Sequence, residues 1–448
     1  MNIKQRLTSE MGLALIRTFI ARGIAALGGI FLGVVLGRLY GPEGVGVFAL
    51  AQSVLLGAGI LARYGLNNTL MRYVGRDYES PYVGTYLKWA CHKAGVLSLV
   101  AAFSVFYMHK EIAWAFNTPK LSSVLVGVAV AIPAFTLSFV LSGFMKGVRK
   151  PATANLLENG AVSLVAACGI LLWHWLLNGS QIAAAGWGLA IAAWLVFGQG
   201  VCQAWRWLNA HLHFRDRRQQ SEHEIVHSTE FSRTSRAFLV MSLAQFMQQV
   251  VCVLIAGAML SNSDLGLFKS AERMALLISF ILMVINAVFP PRFASLYHRG
   301  DIQGLSRLAR QGALLGVLMA APLLLVCLIF PAWVLGWFGQ GFSEASTLLR
   351  IIAIAQLVNV ATGSVGFLLN MTGYEKLMRN IALLCNVVGV MLFVLFILLW
   401  GVVGAAVGLA SILVVQNIVM LFFVWRKLGI WTLPLPNFIK YCLSPKVS

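Results

Sequence analysis

About twelve windows of roughly twenty apolar residues follow one another along this chain. They fall near 12–37, 44–63, 84–107, 121–144, 153–177, 182–207, 236–260, 265–289, 311–334, 346–371, 377–400 and 402–425. A bilayer core about 30 Å thick is crossed by about twenty helical residues, so each window reads as a transmembrane α-helix. Of 448 residues, 59% are hydrophobic and only 11% charged, which excludes a soluble globular domain. A net charge of +19 would suggest nucleic acid as the partner of a soluble protein. Here the basic residues lie in short loops and orient the chain in a lipid bilayer instead, so no nucleic-acid partner is expected. The first window is too long for a signal-peptide core and no small-residue cleavage site follows it, so it reads as a retained span.

With the N-terminus placed in the cytoplasm, 25 of the 34 Lys and Arg residues fall inside, and only Arg38, Lys110 and Lys120 fall outside. That asymmetry places both termini in the cytoplasm and requires an even number of spans. The longest polar stretch divides the windows six and six. The reading is an N-terminal lobe 1–208, a cytoplasmic loop 209–235, a C-terminal lobe 236–428 and a tail 429–448. The lobes share a weak repeat. Gly37-Arg-Leu-Tyr-Gly-Pro-Glu-Gly-Val-Gly46-Val-Phe48 follows the first window, and Gly257-Ala-Met-Leu-Ser-Asn-Ser-Asp-Leu-Gly266-Leu-Phe268 follows the seventh. Six spans separate them, so the repeat is parallel, with its two-fold axis along the membrane normal. Small-residue stripes at Gly29, Gly33 and Gly37, and at Gly404 and Gly408, read as close helix packing.

The remaining six cations are Arg17, Arg22, Lys93, Lys269, Arg273 and Arg350, all inside apolar windows. A charge at the bilayer centre costs about 2.5–3.5 kcal/mol on insertion scales and is retained mostly where it faces a bundle interior or a water-filled cavity. A cavity lined by Arg and Lys suits an anion. Lys269 and Arg273 are four apart and share a helix face, with Glu272 within reach of either. The alternative is that these charges snorkel or are structurally paired. Gln52, Gln245, Gln249, Asn359 and Glu272 are candidate sugar or coupling-ion contacts, the amides otherwise serving as interhelical hydrogen bonds. Glu158 is a candidate proton or sodium site, the alternative being a buried pair with Lys93. His223-Glu-Ile-Val-His227 matches the H-E-x-x-H zinc pattern, but it lies in the charged inter-lobe loop without a third ligand. No phosphate-binding P-loop is present. The seven cysteines read as small hydrophobes. No metal, cofactor or catalytic residue is expected.

The segments Gly37–Phe48 and Gly65-Leu-Asn-Asn-Thr-Leu-Met-Arg72 resemble the polysaccharide transporter family. That family includes the O-antigen flippases of Wzx type and belongs to the multidrug/oligosaccharidyl-lipid/polysaccharide exporter superfamily. The resemblance implies an all-α integral membrane protein, two six-helix lobes forming a V around a central cavity. It implies a transporter of the bacterial inner membrane rather than an enzyme. Its substrate would be an undecaprenyl-diphosphate-linked glycan, moved from the cytoplasmic to the periplasmic leaflet by alternating access. A polysaccharide polymerase and a chain-length regulator are the implied partners. The other function open to the superfamily is multidrug or small-cation antiport, which calls for intramembrane carboxylates rather than cations.

Overall fold

The computed structural model describes residues 3–76, 80, 82–177, 181–218, 228–246 and 250–433. Among them the regular structure is entirely helical. The chain runs through α1 (Ile3–Arg63), α2 (Leu66–Arg76), α3 (Val83–Tyr107), α4 (His109–Ala115), α5 (Pro119–Gly147) and α6 (Pro151–Asn155). A π-helical turn, Leu156–Gly160, leads into α7 (Ala161–Leu177) and α8 (Ala183–Arg218). Next come α9 (Ser228–Phe246), α10 (Cys252–Met259), α11 (Asn262–Ala275), α12 (Phe280–His298), α13 (Ile302–Ile329) and α14 (Pro331–Gly336). The last are α15 (Ser346–Thr362), α16 (Val365–Met371) and α17 (Glu375–Leu428).

Seven of the described helical segments, or eight if the bent pair α6–α7 counts as one span, are long and apolar enough to cross a membrane. The sequence reading expects twelve crossings, and the shortfall has two physical causes. First, two long helices each cover two windows. Helix α1 breaks at Gly41, whose φ of 66° and ψ of −172° lie outside helical space. That conformation is open to glycine because it lacks a Cβ, and Pro42 follows it. Helix α17 breaks at Gly401, with φ 58° and ψ −132°. A Cβ on Gly389 would lie 2.4 Å from Ile412, one on Gly408 2.8 Å from the Phe393 ring, and one on Gly404 1.8 Å from the Phe396 carbonyl oxygen. That pairing is the register of an antiparallel hairpin turning at Gly401. Second, the window 265–289 is divided between α11 and α12, while in the window 236–260 residues 247–249, between α9 and α10, lie outside the described residues.

The packing forms two compact units, residues 1–269 with 338–341, and residues 270–337 with 342–448. In the first, α5 is the central helix. Its buried face runs from Leu121 to Gly147 and packs against α1, α2, α3 and α8. Pro133 lies inside α5, which continues through it. The second unit has its own core, in which Phe293, Leu305, Val365, Leu369, Ile381, Leu421 and Val424 are buried together. There Asp301 caps α13, its carboxylate accepting from Gly304 N at 2.7 Å. Large apolar side chains such as Phe103, Trp114, Trp175, Leu318 and Leu398 stand outward. An outward apolar surface this extensive is the signature of lipid contact. The chain is a multi-pass membrane protein. The six described cysteines are free thiols, and Cys442 lies outside the described residues.

The two repeat motifs meet within the first unit. A Cβ on Gly46 would lie 1.8 Å from the Asn262 carbonyl oxygen, and one on Gly266 would lie 1.9 Å from that of Pro42. Gly46 and Gly266 occupy the same place in their motifs, as do Pro42 and Asn262, so the contact is reciprocal. Phe48 and Phe268, two residues on, are both fully buried. By contrast, a Cβ on Gly29 would meet nothing within 4 Å, so that member of the first stripe is not at a packed seam.

Candidate functional site

The cations expected from sequence fall into distinct surroundings. Arg17 lies on α1, but its side chain is outside the described residues, as are those of Gln245 and Gln249 and the whole of His223–His227. Arg22 is half-buried on the first half of α1, and Gln52 half-buried on the second. On α11, Phe268, Ser270, Ala271 and Met274 are buried, while Lys269, Glu272 and Arg273 are half-buried, and Arg273 lies in electrostatic range of Glu272. A mixed cation-carboxylate stripe therefore runs along one side of α11.

Lys93 is engaged where α3 meets α9. Its ammonium donates to Ser232 Oγ at 3.3 Å and stands 4.3 Å from the Tyr64 ring centroid, a cation–π geometry. The junction is tightly built. Ser235 Oγ donates to the Tyr64 carbonyl at 2.6 Å, and Tyr73 Oη meets Thr234 Oγ1 at 3.3 Å. Phe231 is buried among the rings of Tyr73, Tyr86 and Trp89, with centroids 5.3, 5.5 and 6.2 Å away. Gly65, with φ 71°, passes so close to α9 that a Cβ would lie 2.6 Å from the Ser235 carbonyl oxygen. Arg350 is exposed on α15, and its Nε donates to the Leu328 carbonyl at 3.1 Å, near the C-terminal end of α13. Asn359 Nδ2 donates to Gln356 Oε1 at 3.2 Å on the same helix.

Glu158 has a different partner from the one expected. It forms an ion pair with Lys146, not Lys93, and accepts from Ser142 Oγ at 2.8 Å. The reason is local. The turn after α5 folds α6 and the π-helical turn back along α5, which brings Glu158 beside the last turn of α5. Arg63 lies in electrostatic range of Glu158. Its guanidinium stands 4.1 Å from the Phe139 ring centroid, and its Nε donates to the Gly59 carbonyl at 3.1 Å. Sequence reasoning assigned Arg63 and Lys146 to the cytoplasmic loops, because each closes an apolar window. The signal that could have found them is the lone carboxylate of the α6–α7 window, which must find a cation somewhere.

That grouping is testable. Removing one partner of a fully buried pair costs about 3–5 kcal/mol. Here the Lys146 and Glu158 side chains are 32% and 23% exposed, so water screening reduces the cost to about 1–2 kcal/mol. Glu158→Gln should lower the melting temperature of the purified protein, and Glu158→Leu with Lys146→Leu should recover most of the loss. If Glu158→Gln instead abolishes transport at unchanged melting temperature, the carboxylate is a coupling-ion site rather than a structural pair.

Among the described residues no group of three or more His, Cys, Asp or Glu side chains is placed to hold a metal ion. The arrangement presents cations and hydrogen-bonding groups inside apolar helices.

Three kinds of comparison bear on this arrangement. The family model described as "Polysaccharide biosynthesis protein" matches residues 15–297, and the MatE model matches residues 237–395. The uncharacterized membrane protein EpsK of Bacillus subtilis (strain 168) is 24% identical over 379 residues, 80% of this chain and 71% of EpsK. The probable low-salt glycan biosynthesis flippase Agl15 of Haloferax volcanii is 26% identical over 188 residues, 41% of this chain and 39% of Agl15. Among solved structures, the lipid II flippase MurJ in an inward closed conformation superposes with a TM-score of 0.70 at 12% identity, covering 90% of this chain and 86% of MurJ. That likeness fixes the fold. The first match spans well over half of the sequence, and with it the chain belongs to the polysaccharide biosynthesis protein family of the multidrug/oligosaccharidyl-lipid/polysaccharide exporter superfamily.

Proposed function

We propose that this protein carries undecaprenyl-diphosphate-linked oligosaccharide from the cytoplasmic to the periplasmic leaflet of a bacterial inner membrane by alternating access. The observation that carries the reading is the set of Lys and Arg residues inside apolar helices of a polysaccharide-family chain. A diphosphate needs cations at membrane depth, and a fork of Arg donors or a Lys point charge supplies them. Arg17, Arg22, Lys269 and Arg273 are the proposed diphosphate contacts, with Lys93 and Arg350 nearer span ends. Gln52, Gln245, Gln249 and Asn359 are proposed for sugar hydroxyls. The names of Agl15 and MurJ, both described as flippases, support the same reading.

Twelve crossings in two lobes parting at 209–235 are part of the proposal. Counting α1 and α17 twice, α6–α7 once, and the pairs α9–α10 and α11–α12 once each reaches twelve from the seven long apolar segments. Impermeant thiol labelling of single cysteines at Ser180 and Ser221, in a Cys-free background, should modify position 180 and spare position 221. The reverse pattern overturns the topology.

A second reading, antiport of drugs or small cations, draws on the MatE match to 237–395. It calls for a surplus of intramembrane carboxylates, whereas the six cations assigned to membrane depth outnumber Glu158 and Glu272. Reconstitution into liposomes with defined undecaprenyl-diphosphate sugars, with and without proton and sodium gradients, decides between them. Flipping of the lipid-linked sugar supports the first reading. Absence of flipping together with gradient-driven efflux of organic cations supports the second.

A further inference from the structure

The first unit holds a cavity that the cationic path does not use. It has a volume of about 450 Å³ and is lined by Leu39, Tyr40, Glu43, Lys120, Ser123 and Gln181, with Ile182 and Ala183 closing one side. Three places in the fold build it: the break in α1 at Gly41, the first turn of α5 and the first turn of α8. Under the proposed topology all three lie at the periplasmic face. Its size falls within the range of about 300–1,000 Å³ usual for small-ligand sites.

The lining chemistry is specific. Lys120 Nζ donates to both carboxylate oxygens of Glu43, at 2.9 and 3.0 Å, so the two charges cancel on the rim. Ser123 Oγ donates to the Lys120 carbonyl at 3.0 Å. Gln181 presents an exposed side-chain amide. The Tyr40 hydroxyl is buried without a hydrogen-bond partner. A buried polar atom left unsatisfied in a native structure calls for a missing partner, and this one belongs to a residue that lines a cavity. Gly44, which also lines the cavity, lets the Tyr40 side chain sit close against it, since a Cβ there would lie 2.2 Å from Tyr40 Cβ and 3.5 Å from Ile182. An anion entering this space would meet the Glu43 carboxylate, and a cation the Lys120 ammonium. A neutral molecule carrying both donors and acceptors, with an apolar face for the Tyr40 ring, fits the whole set. That is the chemistry of a sugar.

We propose that this cavity is a carbohydrate subsite at the exit face, holding a sugar of the translocated glycan apart from the diphosphate. The proposal rests on the glycan reading above. A strain lacking the transporter should accumulate the lipid-linked glycan, and mild acid releases its free oligosaccharide, which is the probe. Saturation-transfer NMR with the purified wild-type protein in nanodiscs should show transfer to that oligosaccharide. Tyr40→Phe, Gln181→Ala and the double variant Glu43→Gln/Lys120→Gln should each weaken binding at least about five-fold. Their melting temperatures and size-exclusion profiles should match wild type. No transfer with wild type, or equal transfer with all three variants, overturns the subsite while leaving the flippase reading intact. A null strain that accumulates no lipid-linked glycan overturns both. If a variant loses its fold, titration of the wild type with free galactose, glucose and N-acetylglucosamine decides, since saturable binding to none of them also overturns the subsite.

Discussion

Gly46→Val and Gly266→Val should each leave little correctly folded protein in the membrane. The Cβ of either would lie under 2 Å from a backbone carbonyl oxygen of the other motif. Overpacking a well-filled core typically costs about 1–3 kcal/mol, and here the obstacle is backbone that cannot rotate aside. Within a bilayer no hydrophobic gain drives helices together, so a seam that depends on small residues has little to fall back on. Gly29→Val is the control, because a Cβ there meets nothing within 4 Å. Because Gly46 and Gly266 face each other, Gly46→Ala combined with Gly266→Ala should cost less than the sum of the single changes, as sites in contact are not additive. Size-exclusion profiles of detergent-solubilised protein and melting temperatures provide the measurement. Wild-type profiles for both Val variants would show that the seam is not required.

The second large effect concerns the cations. Arg22→Ala, Lys269→Ala and Arg273→Ala should each remove most glycan export while leaving membrane levels near wild type. Arg→Lys at positions 22 and 273 should retain part of it, because a point charge still binds phosphate while losing the two-pronged geometry. Arg273→Glu should be worst. It sets two carboxylates side by side, since Glu272 lies next to Arg273 and in range of its charge, and both would repel an anion. Complementation of surface glycan in a transporter-null strain, with immunoblots for protein level, reads the outcome. Full complementation by all three alanine variants would make these charges structural and remove the anion path.

Much of the helix placement was legible because apolar length is written locally. The windows 84–107 and 121–144 coincide closely with Val83–Tyr107 and Pro119–Gly147. The break between 377–400 and 402–425 was legible for the same reason, and Gly401 supplies the conformation that the break needs. The division inside 265–289 was not, because a helix interruption of a few residues leaves average hydropathy unchanged. The pairing of Glu158 with Lys146 was also hidden. It depends on how the chain turns after Gly147, with Arg149 at φ 60°, and no periodicity reports that. Lys93 was visible as a charge in an apolar helix, but its seat above Tyr64 and beside Ser232 comes from the docking of α9, 139 residues further along. The cavity at Tyr40 and Lys120 is assembled from three segments far apart in sequence, which no single motif can announce.

The reciprocal approach of Gly46 and Gly266 is the geometry of an isologous interface, in which residue i touches residue j and j touches i in return. Such an interface ordinarily joins two copies of one subunit. Here it lies inside a single polypeptide, between a motif and its own distant counterpart. The chain thus carries, in covalent form, a local two-fold contact of the kind that otherwise joins two separate subunits.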